Sequence, residues 1–231
     1  MPNDANSTRE ALFLAAEELF SQRGFAAVGI REIARQAGVN LSAIKYHFGS
    51  KHDLYLETVR RAMGHHGDDL LEMLAQPPDD PEDAGLRLVS FIQRFFGRLL
   101  EVGEVDACGL LMIREALQPS EAIDAVVRDY MHPGSELLVG VLRAVRPELD
   151  SAVLELYATS LMGQLIHYKV FKPFIERLHG VELSDPAVAA ECAEQVALFT
   201  LRGLGCDERL IERVMIRAEA DAEALREGTL Q

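Results

Sequence analysis

The sequence predicts an all-α fold, with a small N-terminal domain of three helices followed by a larger helical domain. Apolar residues recur three and four positions apart along most of the chain, and the alternation typical of strands is absent. A polar, proline-rich stretch at 76–81 is the clearest linker. With 231 residues and a hydrophobic fraction of 48%, the chain is long enough to bury a substantial core.

Helix 1 is predicted from Ser7 to Arg23. Ser7 and Glu10 have the spacing of a capping box, and Gly24 ends the periodic segment. The apolar residues at helical spacing are Leu12, Ala15, Ala16 and Leu19.

Two short helices follow, joined by a tight turn. The first is predicted at 30–37 and ends at Gly38, which adopts a left-handed conformation at little cost; the second begins with Asn40 as its N-cap. Ala34 is small enough to let two helices cross closely, and Ile44 supplies an apolar anchor. This spacing predicts a helix-turn-helix, and an ordinary helical hairpin is the alternative.

Ser50 and Asp53 have the spacing to cap a long fourth helix that runs to about Leu74. Start signals at Asp185-Pro186 and at Asp207 mark two of the later helices. Beyond the linker, helices are predicted at 82–103, 106–117, 120–145 with a kink before Pro133, 148–172, 186–204 and 207–227.

The acidic charge of the chain is unevenly distributed. The net charge is −14, but residues 1–61 hold eight Lys and Arg against seven Asp and Glu, whereas residues 62–231 hold 15 against 30. Because phosphate binding needs local positive charge, the acidic remainder should repel DNA everywhere except where the N-terminal segment presents its cations.

The N-terminal segment resembles the signature of the TetR-type transcriptional regulators over about residues 8–61. The matching runs are Gly24-Phe25, Ile30-Arg31-Glu32-Ile33-Ala34, Ala37-Gly38-Val39 and Tyr46-His47-Phe48-Gly49-Ser50-Lys51, followed by Leu54. The remainder resembles the family in being helical and of suitable length. The resemblance implies an all-α regulator with a DNA-binding domain at 7–66 and a ligand-binding and dimerisation domain at 67–231.

Nine residues are candidate DNA contacts, all but Arg31 by this resemblance: Thr8, Arg31, Asn40, Ser42, Ala43, Lys45, Tyr46, His47 and Lys51. Thr8 and Lys51 lie where family members touch phosphate, and the others except Arg31 line the recognition helix. Most members carry tyrosine at the position of Lys45, so this lysine could contact a base or a phosphate. Tyr46 could alternatively pack within the fold, and Arg31 could be a solvated charge that only steers association.

A single helix-turn-helix buries too little surface against DNA for specific binding. Two copies are therefore expected to read half-sites about 34 Å apart or a multiple of that. The resemblance implies a homodimer through the helices near 148–172 and 186–204. The apolar positions offered for this interface are Leu154, Ala158, Leu161 and Leu165 with Val188, Cys192, Val196 and Phe199. Burial of these faces within their own subunit is the alternative.

The larger domain is expected to hold an unidentified small-molecule effector, because aromatic residues there are interrupted by a few polar ones. The candidates are Phe91, Phe95, Met112, Arg114, Glu115, Tyr130, Met131, Gln164 and His167. Each polar member could equally be a satisfied core or surface group.

No cofactor and no metal site are expected. His65 and His66 with Asp68 and Asp69 supply only one pair at i, i+4, which favours a solvated helix surface. Three widely spaced cysteines, no apolar run of 18 residues and no leader pattern predict a cytoplasmic protein that does not enter a membrane.

The expected function is that of a non-enzymatic, ligand-responsive repressor of double-stranded operator DNA. Ligand would change the spacing of the two DNA-binding domains. A helical enzyme carrying a helix-turn-helix is an alternative with little support, since no nucleophile or phosphate-loop motif is present. A constitutive DNA-binding adaptor for a protein partner is a third possibility.

Overall fold

The computed structural model describes residues 3–101 and 107–228, and no strand occurs within them. The helices are α1 (Asn3–Ala27), α2 (Ile30–Gln36), α3 (Leu41–Phe48), α4 (Lys51–Ala75), α5 (Pro81–Glu101), α6 (Ala107–Leu117), α7 (Ile123–Val126), α8 (His132–Val145), α9 (Ser151–Val170), α10 (Lys172–His179), α11 (Pro186–Gly203) and α12 (Glu208–Gly228). The all-α prediction is confirmed. Among the helices of the described ranges, none combines the length and apolarity needed to cross a bilayer.

The described residues fall into two compact units. Residues 3–68 and 107–133 form the N-terminal unit, and residues 69–101 and 134–228 form the C-terminal unit. The boundary expected at residue 66 lies near this division. Residues 107–133, which the sequence placed with the larger domain, pack instead with the N-terminal unit.

The core of the N-terminal unit is built around α1. Leu12, Ala16 and Phe20 are fully buried on one side of this helix, where α2, α3 and α6 pack against it. Leu111 brings α6 into the same core and is itself fully buried. Helix α6 is therefore part of the scaffold that holds the first three helices together.

The predicted start of α1 is wrong, whereas its predicted end marks a real break. The helix begins at Asn3, which places Ser7 inside it. The S-x-x-E spacing also fits a helix interior, and the polar residues ahead of Ser7 do not prevent helix formation. At Gly24 the backbone leaves the helical conformation, with φ 77° and ψ 168°. A positive φ of this kind favours glycine.

The predicted helix-turn-helix is confirmed. Ile33 and Ala34 of α2 and Ile44 of α3 are at most 3% exposed. Gly38 has φ 67°, and the next residue, Val39, donates its backbone N–H to the carbonyl of Ala34 over 3.0 Å. This left-handed turn ends α2 and lets α3 start three residues later.

The C-terminal unit packs α5, α9, α11 and α12 around a second apolar core. Leu154, Ala158, Leu161 and Leu165 lie in that core with at most 2% exposure, and Val196 is 4% exposed. The assignment of these residues to a dimer face is therefore wrong, because they pack within their own unit. Phe199 differs from them, since it is 67% exposed.

The helix that leads into Pro133 is interrupted. A kink was predicted before Pro133, and the structure has a π-helical turn there, Val127–Met131. Proline has no backbone N–H to donate, which is consistent with an interrupted α-helical pattern.

The sequence prediction misses α10 as a separate helix. Its signals are present, because Pro173 occupies the first turn and Gly180 ends the helix with φ 66°.

Candidate nucleic-acid interface

Helix α3 presents a polar face away from the core. Ile44 is 2% exposed and anchors the helix, while Ser42 and Lys45 are exposed on the outer side. Tyr46 is 81% exposed. A tyrosine this open is not packing within its own unit, so the alternative offered for Tyr46 is excluded.

Asn40 stands at the N-cap of α3 with an extended backbone, φ −70° and ψ 145°. Its predicted position is confirmed, but its side chain makes no capping hydrogen bond. The side-chain amide of Asn40 therefore does not bond to the backbone at the start of α3. A side-chain amide in this position can donate to a phosphate or pair with the edge of a base.

A shallow groove of about 680 Å³ runs along the exposed side of the turn and α3. Its lining residues are Thr8, Gly38, Val39, Asn40, Ser42, Ala43, Tyr46 and His47. Six of the nine predicted contacts therefore meet at one place, although Thr8 comes from α1. Arg31, Lys45 and Lys51 do not line it, and Gly38 and Val39 were not predicted as part of it.

The rings of Tyr46 and His47 line this site in an edge-to-face arrangement, with centroids 4.9 Å apart and an interplanar angle of 83°. The phenol hydroxyl and the imidazole N–H are both hydrogen-bond donors. Two donors on neighbouring rings suit the oxygens of a phosphodiester backbone.

Lys51 begins α4, but its ammonium does not simply project into solvent. The Nζ atom lies 4.1 Å from the ring centroid of Phe25, a cation–π contact, and the side chain is half-buried. Burial lowers the pKa of Lys51, and the carboxylate of Glu121 opposes this shift. The lysine therefore lies against the ring of Phe25, and its contact with phosphate stays a prediction.

Arg9 was not predicted as part of the site, although it adjoins Thr8. Its guanidinium lies 5.2 Å from the ring of Phe48 at the end of α3 and forms an ion pair with Glu57 of α4 over 2.8 Å. Burial alone would raise the pKa of Glu57, but hydrogen bonds from Arg60 and Arg9 lower it. Arg9 thus links α1 with α3, the recognition helix, and with α4, and only its position next to Thr8 hinted at this role.

The effector candidates are divided between the two units. In the N-terminal unit, Arg114 donates from Nε to the carbonyl of Ser21 over 2.7 Å, and Glu115 is buried with hydrogen-bond partners of its own. Met112 packs against the core and Met131 is exposed. The side chain of Tyr130 lies outside the described residues.

In the C-terminal unit, Phe91 is buried in the core and Phe95 packs beside it. Gln164 lines a second groove of about 570 Å³, together with Tyr168, Gln195 and Phe199. His167 is exposed, and its ring stacks on that of Phe171 at 4.9 Å. Of these four candidates, Gln164 lines this groove and the other three do not.

No group of three His, Cys, Asp or Glu that could hold a metal ion occurs among the side chains that the structure describes. The side chains of His65, His66, Asp68 and Asp69 lie outside that set.

Two family profiles match the chain. Residues 84–204, more than half of the 231, match the C-terminal domain of the HTH-type transcriptional dual regulator CecR. Residues 12–58 match the bacterial regulatory proteins of the tetR family.

Two relatives and one solved structure show how far the similarity extends. The HTH-type transcriptional dual regulator CecR of Shigella flexneri is 28% identical over 176 residues, which are 72% of this chain and 78% of that protein. The HTH-type transcriptional regulator BetI of Rhizobium meliloti strain 1021 is 34% identical over 145 residues, 62% of this chain and 68% of that protein. A TetR-like transcriptional regulator from Rhodococcus sp. RHA1 shares the fold, with a TM-score of 0.59 at 22% identity over 85% of this chain and 96% of that one.

Proposed function

Because the chain belongs to the TetR family of DNA-binding transcriptional regulators, we propose that it is a homodimeric, ligand-responsive repressor. Family members are non-enzymatic and bind operator DNA, generally as dimers. In this proposal each subunit places α3 in one major groove, and a small molecule bound by the C-terminal unit releases the DNA.

The observation that carries the DNA-reading part of the proposal is the groove along α3. Its lining includes Asn40, Tyr46 and His47, and the helix turns its one fully buried residue, Ile44, inward. A helix of this kind fits the width of the major groove of B-DNA, where side chains reach base edges and phosphates. The near-neutral charge of residues 1–61 permits this approach, whereas the acidic remainder disfavours others.

The outward face of α9 and α11 supports dimerisation through these helices. Leu156 of α9 is 69% exposed and Phe199 of α11 is 67% exposed, although both helices bury their opposite faces in the core. Large exposed apolar side chains on adjacent helices are typical of a protein interface. Two such helices from each subunit would form a four-helix interface.

The second groove supports ligand binding by the C-terminal unit. Its volume, about 570 Å³, lies in the range of small-molecule sites, and it combines Tyr168 and Phe199 with the amides of Gln164 and Gln195. A partner subunit on α9 and α11 would cover its open side. Ligand bound there would favour a different separation of the two DNA-binding units, which would no longer match two successive major grooves.

Binding to selected genomic DNA fragments, measured by fluorescence anisotropy, tests this function. The double variant Tyr46→Ala, His47→Ala should weaken specific binding by at least about tenfold, because each good contact is worth roughly 1–3 kcal/mol. Ser135→Ala, which removes an exposed hydroxyl of the C-terminal unit outside every proposed site, should bind as the wild type does. Failure to enrich any fragment, or an unchanged affinity in the double variant, would refute DNA reading by α3.

Ligand response is tested by adding metabolites and antibiotics singly to the preformed complex. We expect at least one compound to release the DNA and to lose this effect in Gln164→Ala. Specific DNA binding that no compound alters would instead identify a constitutive DNA-binding protein.

A further inference from the structure

Helix α10 differs from the helices of the cores because none of its residues is buried. Phe174 is 70% exposed and Leu178 is 78% exposed, and Phe171, at the N-cap of the helix, is 47% exposed. Positions i, i+3 and i+7 of a helix lie on one side, so these three residues form a single apolar surface. We refer to Phe171, Phe174 and Leu178 as the α10 face.

The α10 face continues the exposed surface of α9. The ring of His167 on α9 stacks on Phe171 with centroids 4.9 Å apart and planes at 22°. The ring of Phe171 in turn lies 5.9 Å from that of Phe174. A row of contacting rings, His167, Phe171 and Phe174, therefore leads from the end of α9 onto α10.

Helix α10 is held in place although none of its residues is fully buried. Glu176 accepts a hydrogen bond from the backbone N–H of Leu183 over 2.9 Å and lies 3.9 Å from Lys172. Gly180 ends the helix in a left-handed conformation. An eight-residue helix is marginal in water on its own, and in proteins its stability comes from packing an apolar face. A covering partner would supply that packing.

Two observations favour a second copy of the chain as that partner. First, the α10 face is continuous with the α9 surface proposed for the dimer. A stable dimer buries about 800 Å² on each partner, and three more large apolar side chains extend that surface by an amount on the order of 100–300 Å². Second, the exposed Arg177 lies beside the face, whereas residues 62–231 carry 30 acidic against 15 basic residues. An exposed guanidinium at this edge is complementary to an acidic second copy.

We propose that α10 is a docking arm, whose face packs on the partner subunit beyond the contacts of α9 and α11. The proposal rests on the dimer described under the proposed function. It adds the contacts of α10 to the four-helix interface formed by α9 and α11 of each subunit.

Sedimentation equilibrium of the full chain measures this share. Leu178→Asp and Phe174→Asp should each raise the dimer dissociation constant at least tenfold, because a charge would be buried at the interface. Leu117→Asp is the matched control, since Leu117 is 77% exposed on α6 and lies outside the α10 face. It should leave the dissociation constant unchanged, and the far-ultraviolet circular dichroism of all three variants should match the wild type.

Hydrogen exchange gives a second measurement that does not depend on variants. The backbone amides of residues 172–180 should exchange more slowly at protein concentrations above the dissociation constant than at concentrations below it. Exchange that is independent of concentration, or α10 variants with a wild-type dissociation constant, would overturn the proposal. Sedimentation of the chain with phosphatidylglycerol vesicles, lost in Leu178→Asp while the dimer persists, would overturn it too and assign the face to a lipid surface.

Phe199→Asp distinguishes this inference from the proposal on which it rests. If Phe199→Asp dissociates the dimer and the α10 variants do not, α9 and α11 form the interface without the arm. If Phe199→Asp has no effect, the dimer proposed through α9 and α11 fails, whatever the α10 variants do.

Discussion

The phenol of Tyr55 donates a hydrogen bond to Oε2 of Glu115 over 2.9 Å and so joins α4 to α6 within the N-terminal unit. Glu115 is 5% exposed, and its Oε1 accepts hydrogen bonds from the backbone N–H and the hydroxyl of Ser120, both at 2.8 Å. The carboxylate that interrupts an apolar helix in the sequence is therefore satisfied by three donors. It fixes α6, and the turn after it, to the helix that follows the recognition helix.

Tyr55→Phe should destabilise the N-terminal unit by about 1–3 kcal/mol, because it leaves one oxygen of a buried carboxylate without its donor. Urea unfolding followed by circular dichroism measures this loss. Tyr46→Phe removes a hydroxyl that is exposed to water, so its unfolding midpoint should equal that of the wild type. A wild-type midpoint for Tyr55→Phe would show that the hydrogen bond contributes nothing to stability.

The stability of the N-terminal unit should fall in alkaline solution because of the same tyrosine. Burial, and then the hydrogen bond to Glu115, raise the pKa of Tyr55 above its ordinary value. The folded state therefore holds the phenol proton more tightly than the unfolded state. The contribution of Tyr55 to the free energy of unfolding is fully present below about pH 10, the ordinary tyrosine pKa. It is lost as the pH rises through the pKa of Tyr55 in the folded state.

The difference between wild type and Tyr55→Phe isolates this effect, because Tyr168, whose pKa burial also raises, is present in both. We expect the free energy of unfolding to decline more steeply above pH 10 in the wild type than in the variant. Parallel curves would contradict the prediction.

Gly38→Ala should destabilise the N-terminal unit by about 1–2 kcal/mol, because an L-residue is strained in the left-handed conformation. The backbone at Gly38 has φ 67°, and a Cβ there would meet nothing within 4 Å, so conformation and not crowding sets the cost. Gly140→Ala, at an open position inside α8, should stabilise its unit by roughly 0.5–1 kcal/mol. Thermal unfolding of the two variants compares these opposite effects; a neutral Gly38→Ala would mean that the turn relaxes freely.

The two lysines near the site should differ in how they affect DNA binding. Lys51→Ala should weaken binding by the same factor for every DNA sequence and reduce the slope of log K against log salt by about one. Lys45 is exposed beside Tyr46 on α3, so Lys45→Ala should change which base is preferred in the half-site. Anisotropy titrations over a salt series and a set of half-site variants measure both. An unchanged base preference together with a smaller salt slope would make Lys45 a phosphate contact.

Local signals in the sequence were sufficient to predict α2, the turn and α3. Gly38 and Asn40 act within a few residues of their own positions, so the conformations they impose do not depend on distant contacts. The start of α1 was missed because Ser7 and Glu10 have the same spacing in a cap and in a helix interior.

The apolar stripe from Leu154 to Leu165 shows a different limit. Helical periodicity indicates that one face is buried, but not whether its own subunit or a partner buries it. Helix α10 has clear start and stop signals in Pro173 and Gly180. Whether its apolar face is exposed depends on tertiary structure, which these local signals do not determine. The division of the effector candidates between two units likewise follows from the packing of α6, which local sequence does not encode.

The packing of α6 and the turn after it against α1 has a consequence for recombination between regulators. Leu111 and Val126 belong to the same core as Leu12 and Ile33, although residues 69–101 of the other unit lie between them along the chain. A hybrid that joins residues 1–68 to the remaining residues of another regulator would lack Leu111 and Val126, which complete this core. We therefore expect a stable hybrid to need residues 107–133 from the same parent as the helix-turn-helix.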